Sequence, residues 1–152
     1  MTSVAFTGNW SRLGFVTVYR WQAGTERTPG RLNKGKHFDR KAARMLRKQG
    51  LEILERNYRC RAGEIDLVCS DGETIVFVEV RFRGNRGFAS ALESVDGAKQ
   101  GRLIKAAQHY LLSRGIRDSL PCRIDVVAFD ASADGGKDDI QWLQNAVTHR
   151  EH

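Results

Sequence analysis

The strongest constraint on how this chain folds is a pair of apolar runs separated by Asp71-Gly72. Residues 64–69 and 74–82 are rich in Ile, Val and Phe, and such residues favour strands. An Asp-Gly pair between two strands is a hairpin signal, because a type I′ turn needs positive φ at both central positions. With Asp71-Gly72 as the loop, Ser70 pairs with Glu73, Glu64 with Glu79 and Asp66 with Phe77. Side chains alternate with period two. Glu64, Asp66, Glu79 and Arg81 therefore share one face, and Ile65, Leu67, Val76, Val78 and Val80 share the other. Asp66 and Glu79 become diagonal neighbours, with Cα atoms roughly 7–8 Å apart.

Glu79 interrupts an otherwise apolar run. An unpaired buried carboxylate is costly, so two explanations stand. Either the face is solvated, as antiparallel hairpins commonly allow, with Glu79 and Arg81 as an ordinary charge pair. Or Asp66 and Glu79 hold a hard cation such as Mg²⁺ between them.

The periodicity around the hairpin predicts two helices. Over residues 34–49, Phe38, Ala42, Met45 and Leu46 recur at helical spacing, and Gly50 is placed as a C-cap. Over residues 95–113 the stripe is Leu103, Ala107, Tyr110 and Leu111. Asp39 precedes Ala42 and Leu46 by three and seven positions, and Gln100 stands likewise before Leu103 and Ala107. Each helix thus turns one polar group toward the sheet. Further strands are expected at 51–58 and at 122–129, opened by Pro121, with a short last element at 140–147. The order helix, three strands, helix, strand predicts an α/β domain, a small mixed sheet covered by helices. Periodicity begins only after Thr28-Pro29-Gly30, so residues 1–31 are expected to be a poorly ordered basic extension, 32–147 the domain and 148–152 a tail. Arg123 and Asp125 share a face of the strand at 122–129 and read as a structural ion pair.

The formal charge of +7 is unevenly placed. Residues 1–50 hold eleven basic and two acidic side chains, a balance of +9; the rest hold fourteen and sixteen, or −2. A basic segment suits a polyanion, although a solvated, solubilising face would look the same. No apolar run approaches the ~20 residues that span a bilayer, so no membrane partner is expected. Cys60, Cys69 and Cys122 lack CxxC spacing, and His37, His109, His149 and His152 form no HExxH or HxH pair. Neither a disulfide framework nor a histidine metal site is expected, and reduced thiols suit a cytoplasmic protein.

Several ordered motifs resemble those of the uncharacterised bacterial YraN family. They are Gly63-Glu64-Ile65-Asp66-Leu67-Val68, Val76-Phe77-Val78-Glu79-Val80-Arg81-Phe82-Arg83, Lys99-Gln100 and Arg123-Ile124-Asp125-Val126-Val127, supported by Leu54-Glu55-Arg56-Asn57-Tyr58-Arg59. That family looks like a branch of the PD-(D/E)XK, restriction-endonuclease-like superfamily, closest to archaeal-type Holliday-junction resolvases. The resemblance implies an αβββαβ core. It also implies that Asp66 and Glu79 are the metal ligands of the motif, with Mg²⁺ or Mn²⁺ as cofactor. Asp39 falls where the family usually has Glu in the first helix, and Gln100 matches a polar residue that often completes such sites. Arg81 stands where the motif has Lys. Arg can clamp phosphate oxygens but stays protonated and cannot accept a proton.

Three functions are compatible with this reading. The first is a metal-dependent endonuclease acting on DNA. Asp66 and Glu79 would hold the metal, Asp39 and Gln100 support it, and Arg81 contact the phosphate. Arg40, Lys41, Arg44, Arg47 and Lys48 of the first helix, with Arg83, Arg86 and Lys99, would grip the backbone. The second is a nucleic-acid-binding module, for DNA or RNA, that does not cut. The third is an interaction domain with no nucleic-acid ligand. A homodimer is a natural arrangement for symmetric cuts, and Phe88, Leu92 and Val95 are its candidate surface by apolar character alone.

Overall fold

The structure, a computed structural model, describes residues 17–22, 34–83, 95–116, 120–131 and 136–147. Its elements are β1 (Thr17–Gln22), α1 (Lys34–Lys48), β2 (Glu52–Cys60), β3 (Gly63–Asp71), β4 (Thr74–Arg83), α2 (Gly97–Ser113), β5 (Cys122–Asp130) and β6 (Asp139–Val147). From α1 to β5 this is the expected αβββαβ order. Among the described residues the strands form one sheet, ordered β1-β6-β5-β4-β3-β2. β4 and β5 pair in parallel and every other neighbouring pair is antiparallel. A parallel pair needs a long crossover, and α2 provides it.

The helices end where their sequences dictate. Gly50 takes φ +93, its N–H bonds to the Arg47 carbonyl, and the Leu51 N–H reaches back to the Leu46 carbonyl. This is a Schellman cap, and Leu46 and Leu51 pack in the same cluster. Asp96 caps the start of α2, its side chain accepting from the Lys99 N–H at 2.8 Å.

Both faces of the sheet are buried. On one side α1 lays Phe38, Ala42, Ala43, Met45 and Leu46 over Leu67, Cys69, Val76, Val78, Val127 and Phe129. On the other, α2 lays Leu103, Ala106, Ala107, Tyr110 and Leu111 over Ile65, Val68, Ile75, Phe77, Ile124 and Val126. The face that bears Glu79 is therefore not a solvated one: α2 covers it, and a parallel crossover strand such as β4 needs that cover.

Three local features differ from the expectation. The hairpin pairs Asp71 with Thr74 and Ser70 with Ile75, so the loop is Gly72-Glu73 rather than Asp71-Gly72. Gly72 has φ +63 and Glu73 is not in the positive-φ region, the pattern of a type II′ turn. That turn asks only its first residue to be left-handed, and glycine meets the demand without strain. Facing sides are unchanged by this shift, but the ladder, which runs to Leu67 opposite Val78, now leads to Asp66 beside Glu79 instead of Phe77.

The second difference is an interruption of strict alternation across β2 and β3. Arg56 pairs with Leu67 and Tyr58 with Ile65, yet Leu67 lies on the α1 side and Ile65 on the α2 side. Asn57 between them has φ +52, and this left-handed residue turns the edge strand over. Opposite it, Asp66 uses its side chain in place of a ladder bond: Oδ2 accepts from the Val80 N–H at 2.8 Å.

Third, Thr17–Gln22 is a strand where only a loose extension was expected, and it pairs with β6 from Thr17 opposite Gln144 to Gln22 opposite Asp139. Alternation there is masked by its mixture of polar and aromatic residues. The proposed Arg123–Asp125 ion pair is present, with Nε 3.1 Å from Oδ1. Asp125 is fully buried and also accepts from Trp142 Nε1 and the Asn145 N–H. This network closes the irregularity of the β5–β6 ladder between Ile124 and Val126.

Candidate functional site

The site is built where the turned-over segment of β3 meets β4 and the first turn of α2. Glu79 is only 4% exposed, inside a strand with apolar neighbours. Two cations meet its Oε1: Arg81 Nε at 3.1 Å and Lys99 Nζ. Arg81 reaches it from two positions along the same strand face. Lys99 reaches it from α2, where the Asp96 cap fixes the turn that carries it.

Asp66 lies close enough to Glu79 for the two charges to interact strongly. Burial pushes the Asp66 carboxyl up to about 7, and the Glu79 charge adds to that rise. The Val80 N–H bond opposes it; Asp39 raises it further and Lys99 lowers it. Asp39, half-buried on α1, is also held above the ordinary carboxylate range, first by burial and then by Glu79 and Glu64, with Arg56 pulling the other way. The charges of Asp39, Asp66 and Glu79, from α1, β3 and β4, thus act on one another's ionisation.

All-oxygen donors suit a hard divalent cation, and carboxylates that hinder one another's ionisation are what such a cation relieves. Among the described residues no three His, Cys, Asp or Glu side chains are close enough to form a ready-made ligand group. Mg²⁺ is commonly held by one or two carboxylates together with water and phosphate. Asp66 and Glu79 are the residues that would hold it.

The other expected site residues fall in several places. Gln100 sits at the start of α2, with Nε2 donating to the Val95 carbonyl at 2.7 Å, a bond that braces the helix entry. Arg40, Arg44 and Lys48 are exposed on α1. Lys41 is largely covered, lying 3.8 Å from Asp138 and over the Phe38 ring. Lys99 stands in the carboxylate cluster, paired with Glu79. Arg83 is buried at 7% exposure and paired with Asp130 at 2.7 Å, so it does not offer its charge to a ligand; β5 brings Asp130 to it through the parallel register Arg83–Asp130. Arg86, Phe88 and Leu92 lie outside the described residues. Val95 is buried against the α2-side core and is not a surface residue. No helix among the described residues is long and apolar enough to cross a membrane.

Sequence reasoning did not single out Lys36, Arg56 and Asn57 as site residues. They line a cavity beside Asp39. An Asn in the middle of a strand-like run, between Arg56 and Tyr58, was the available signal, since Asn tolerates the left-handed region better than most residues.

Comparison with known proteins follows the same segment. The model of "Uncharacterised protein family UPF0102" matches residues 38–129, which runs from the buried Phe38 of α1 to Phe129 of β5. A UPF0102 protein of Pseudomonas fluorescens is 47% identical over 115 residues, 76% of this chain and 92% of its own length. One from Nitrosococcus oceani is 46% identical over 114 residues, 75% of this chain and 90% of its own. One from Aeromonas hydrophila is 44% identical over 119 residues, 78% and 87% respectively.

Proposed function

This chain belongs to the uncharacterised protein family UPF0102, and from that premise we propose that it binds nucleic acid and hydrolyses phosphodiesters with a divalent cation held by Asp66 and Glu79. The observation that carries the proposal is the pairing of a buried Glu79 with an Asp66 whose carboxyl is pushed up to about 7. A stable core has no use for such a pair, because like charges placed together in an apolar site cost stability. Perturbed acids in one cluster are a mark of functional sites.

When bound, the cation supplies Lewis-acid polarisation of the phosphate. The chain's own residues do the rest. Asp66 is oriented by the Val80 N–H. Arg81 and Lys99 stand at Glu79, where their charges favour the approach of an anionic backbone and the negative charge that develops as a phosphodiester is attacked. Arg81 cannot take a proton from the attacking water, and this favours a second reading in which the protein binds nucleic acid without cutting it.

Purified protein is tested on flaps, junctions and single strands with Mn²⁺. Cleavage that Asp66→Ala and Glu79→Ala each abolish, with folding and affinity retained, supports hydrolysis. No cleavage of any substrate together with salt-sensitive binding supports the non-cutting module. Gain of cleavage in Arg81→Lys would mark the native site as attenuated. Absence of any binding at low salt rejects both.

A further inference from the structure

Beside the carboxylates, on the α1 side of the sheet, lies an open cavity of about 110 Å³ lined by Lys36, Asp39, Arg40, Arg56 and Asn57. It carries three cations against one acid. That acid is Asp39, and Asn57 on the cavity wall lies opposite Asp66, between the pairs Arg56–Leu67 and Tyr58–Ile65, so the cavity adjoins the proposed metal site.

Two observations mark it as more than a solvated crevice. The first is how its cations are used. Lys41, Arg81, Arg83, Lys99 and Arg123 are each held by a carboxylate. Arg40 and Arg56 are exposed and form no ion pair among the described residues. The second is how Arg56 gets there. In a regular strand Arg56 and Tyr58 would share a face. Here Tyr58 enters the α2-side core, and Arg56 faces the α1 side because Asn57 between them is left-handed, at φ +52. Asn is among the few residues besides glycine that adopt this conformation readily, so the turnover that aims Arg56 into the cavity is encoded at this position. The same turnover takes Asp66 out of the ladder, so one backbone irregularity builds both the carboxylate site and the cationic cavity.

We propose that the cavity lined by Lys36, Arg40, Arg56 and Asn57 is a phosphate subsite that seats the backbone phosphate next to the one at Asp66 and Glu79. The guanidinium groups match phosphate oxygens with paired N–H donors, and the cavity has room for more than a water molecule. Bound there, a neighbouring phosphate sets the direction in which the strand crosses the carboxylates. The proposal rests on the nucleic-acid reading above.

The test uses the full chain, a fluorescein-labelled DNA oligonucleotide and inorganic phosphate as probes. Anisotropy titrations in EDTA compare wild type with Arg40→Ala/Arg56→Ala and with Lys105→Ala, an exposed lysine of α2. The pair of arginine substitutions is expected to weaken binding about tenfold or more and to lower the slope of log affinity against log salt by about one. Lys105→Ala should change neither. Unchanged affinity and slope in the arginine variant, with wild-type binding intact, would overturn the proposal. NMR of Arg56 Nε–H and the Asn57 side-chain amide during titration with inorganic phosphate separates the sources. Shifts there without any oligonucleotide binding by wild type would keep the phosphate site and reject the nucleic-acid function. Shifts without an effect of the arginine substitutions on oligonucleotide binding would reject the backbone assignment.

Discussion

At the scale of single residues, the chain places acids where folding alone would not. Asp66 has a higher carboxyl pKa in the folded protein than the ordinary 3.8, so between about 4 and 7 the native state binds more protons than the unfolded one. Stability then falls as pH rises through that window. In urea melts without divalent ions, the wild type is expected to lose stability between pH ~4 and ~7, and Asp66→Asn to flatten the profile and be the more stable protein at the upper end. A profile unchanged by the substitution would contradict this assignment. Added Mn²⁺ should recover part of the loss in wild type only, since an ion that binds the native state alone stabilises it. The thiols behave more simply. Burial pushes Cys69 up to about 12 and Cys122 up to about 11, whereas Cys60 is partly exposed. Because the thiolate is the reactive form, native protein treated with iodoacetamide should be labelled at Cys60 first, the other two reacting only on unfolding.

At the scale of elements, α2 joins folding to function through its first turn. Asp96 satisfies the Lys99 N–H, and the same turn presents Lys99 to Glu79. Asp96→Ala is therefore expected to cost about 1 kcal/mol in chemical denaturation and also to lower affinity for nucleic acid, a second effect that a merely structural cap would lack. At the other face, Leu46 is fully buried and joins the cap of α1 to the core. Leu46→Ala should cost about 2–5 kcal/mol in the same assay, with no specific effect on the salt dependence of binding. Much at this scale was legible beforehand. Both helices follow from their 3.6-residue stripes, and the Gly50 and Pro121 punctuation marks real boundaries. The turn was misplaced by one residue because Asp-Gly and Gly-Glu both offer a glycine, and only the II′ geometry decides which position takes the positive φ. The strand at Thr17–Gln22 was invisible because an edge strand draws its order from its partner, here β6, rather than from its own pattern.

At the scale of the molecule, β1 shields the edge of β6. A chain lacking residues 1–31 is expected to keep a cooperative unfolding transition, since α1, α2 and β2 to β6 supply two extensive core clusters of their own among the described residues. Amide exchange should quicken at the newly exposed edge of β6, as unprotected strand edges lose their hydrogen-bonded partners; exchange unaltered there would argue against the pairing. What the sequence alone determined is local: the apolar periods, the turn-formers, and the presence of Asp66, Glu79, Asp39 and Arg81 on elements that face inward. These follow from chemistry that acts over a few residues. The tertiary structure decided which charges meet. It took Arg83 out of solvent by bringing Asp130 beside it across the parallel ladder, set Lys99 of α2 against Glu79 of β4, and joined Arg123 of β5 to Asp71 at the end of β3. Each of these pairings joins residues distant along the chain, and electrostatic partnership depends on separation in space and on burial, neither of which is written in residue order.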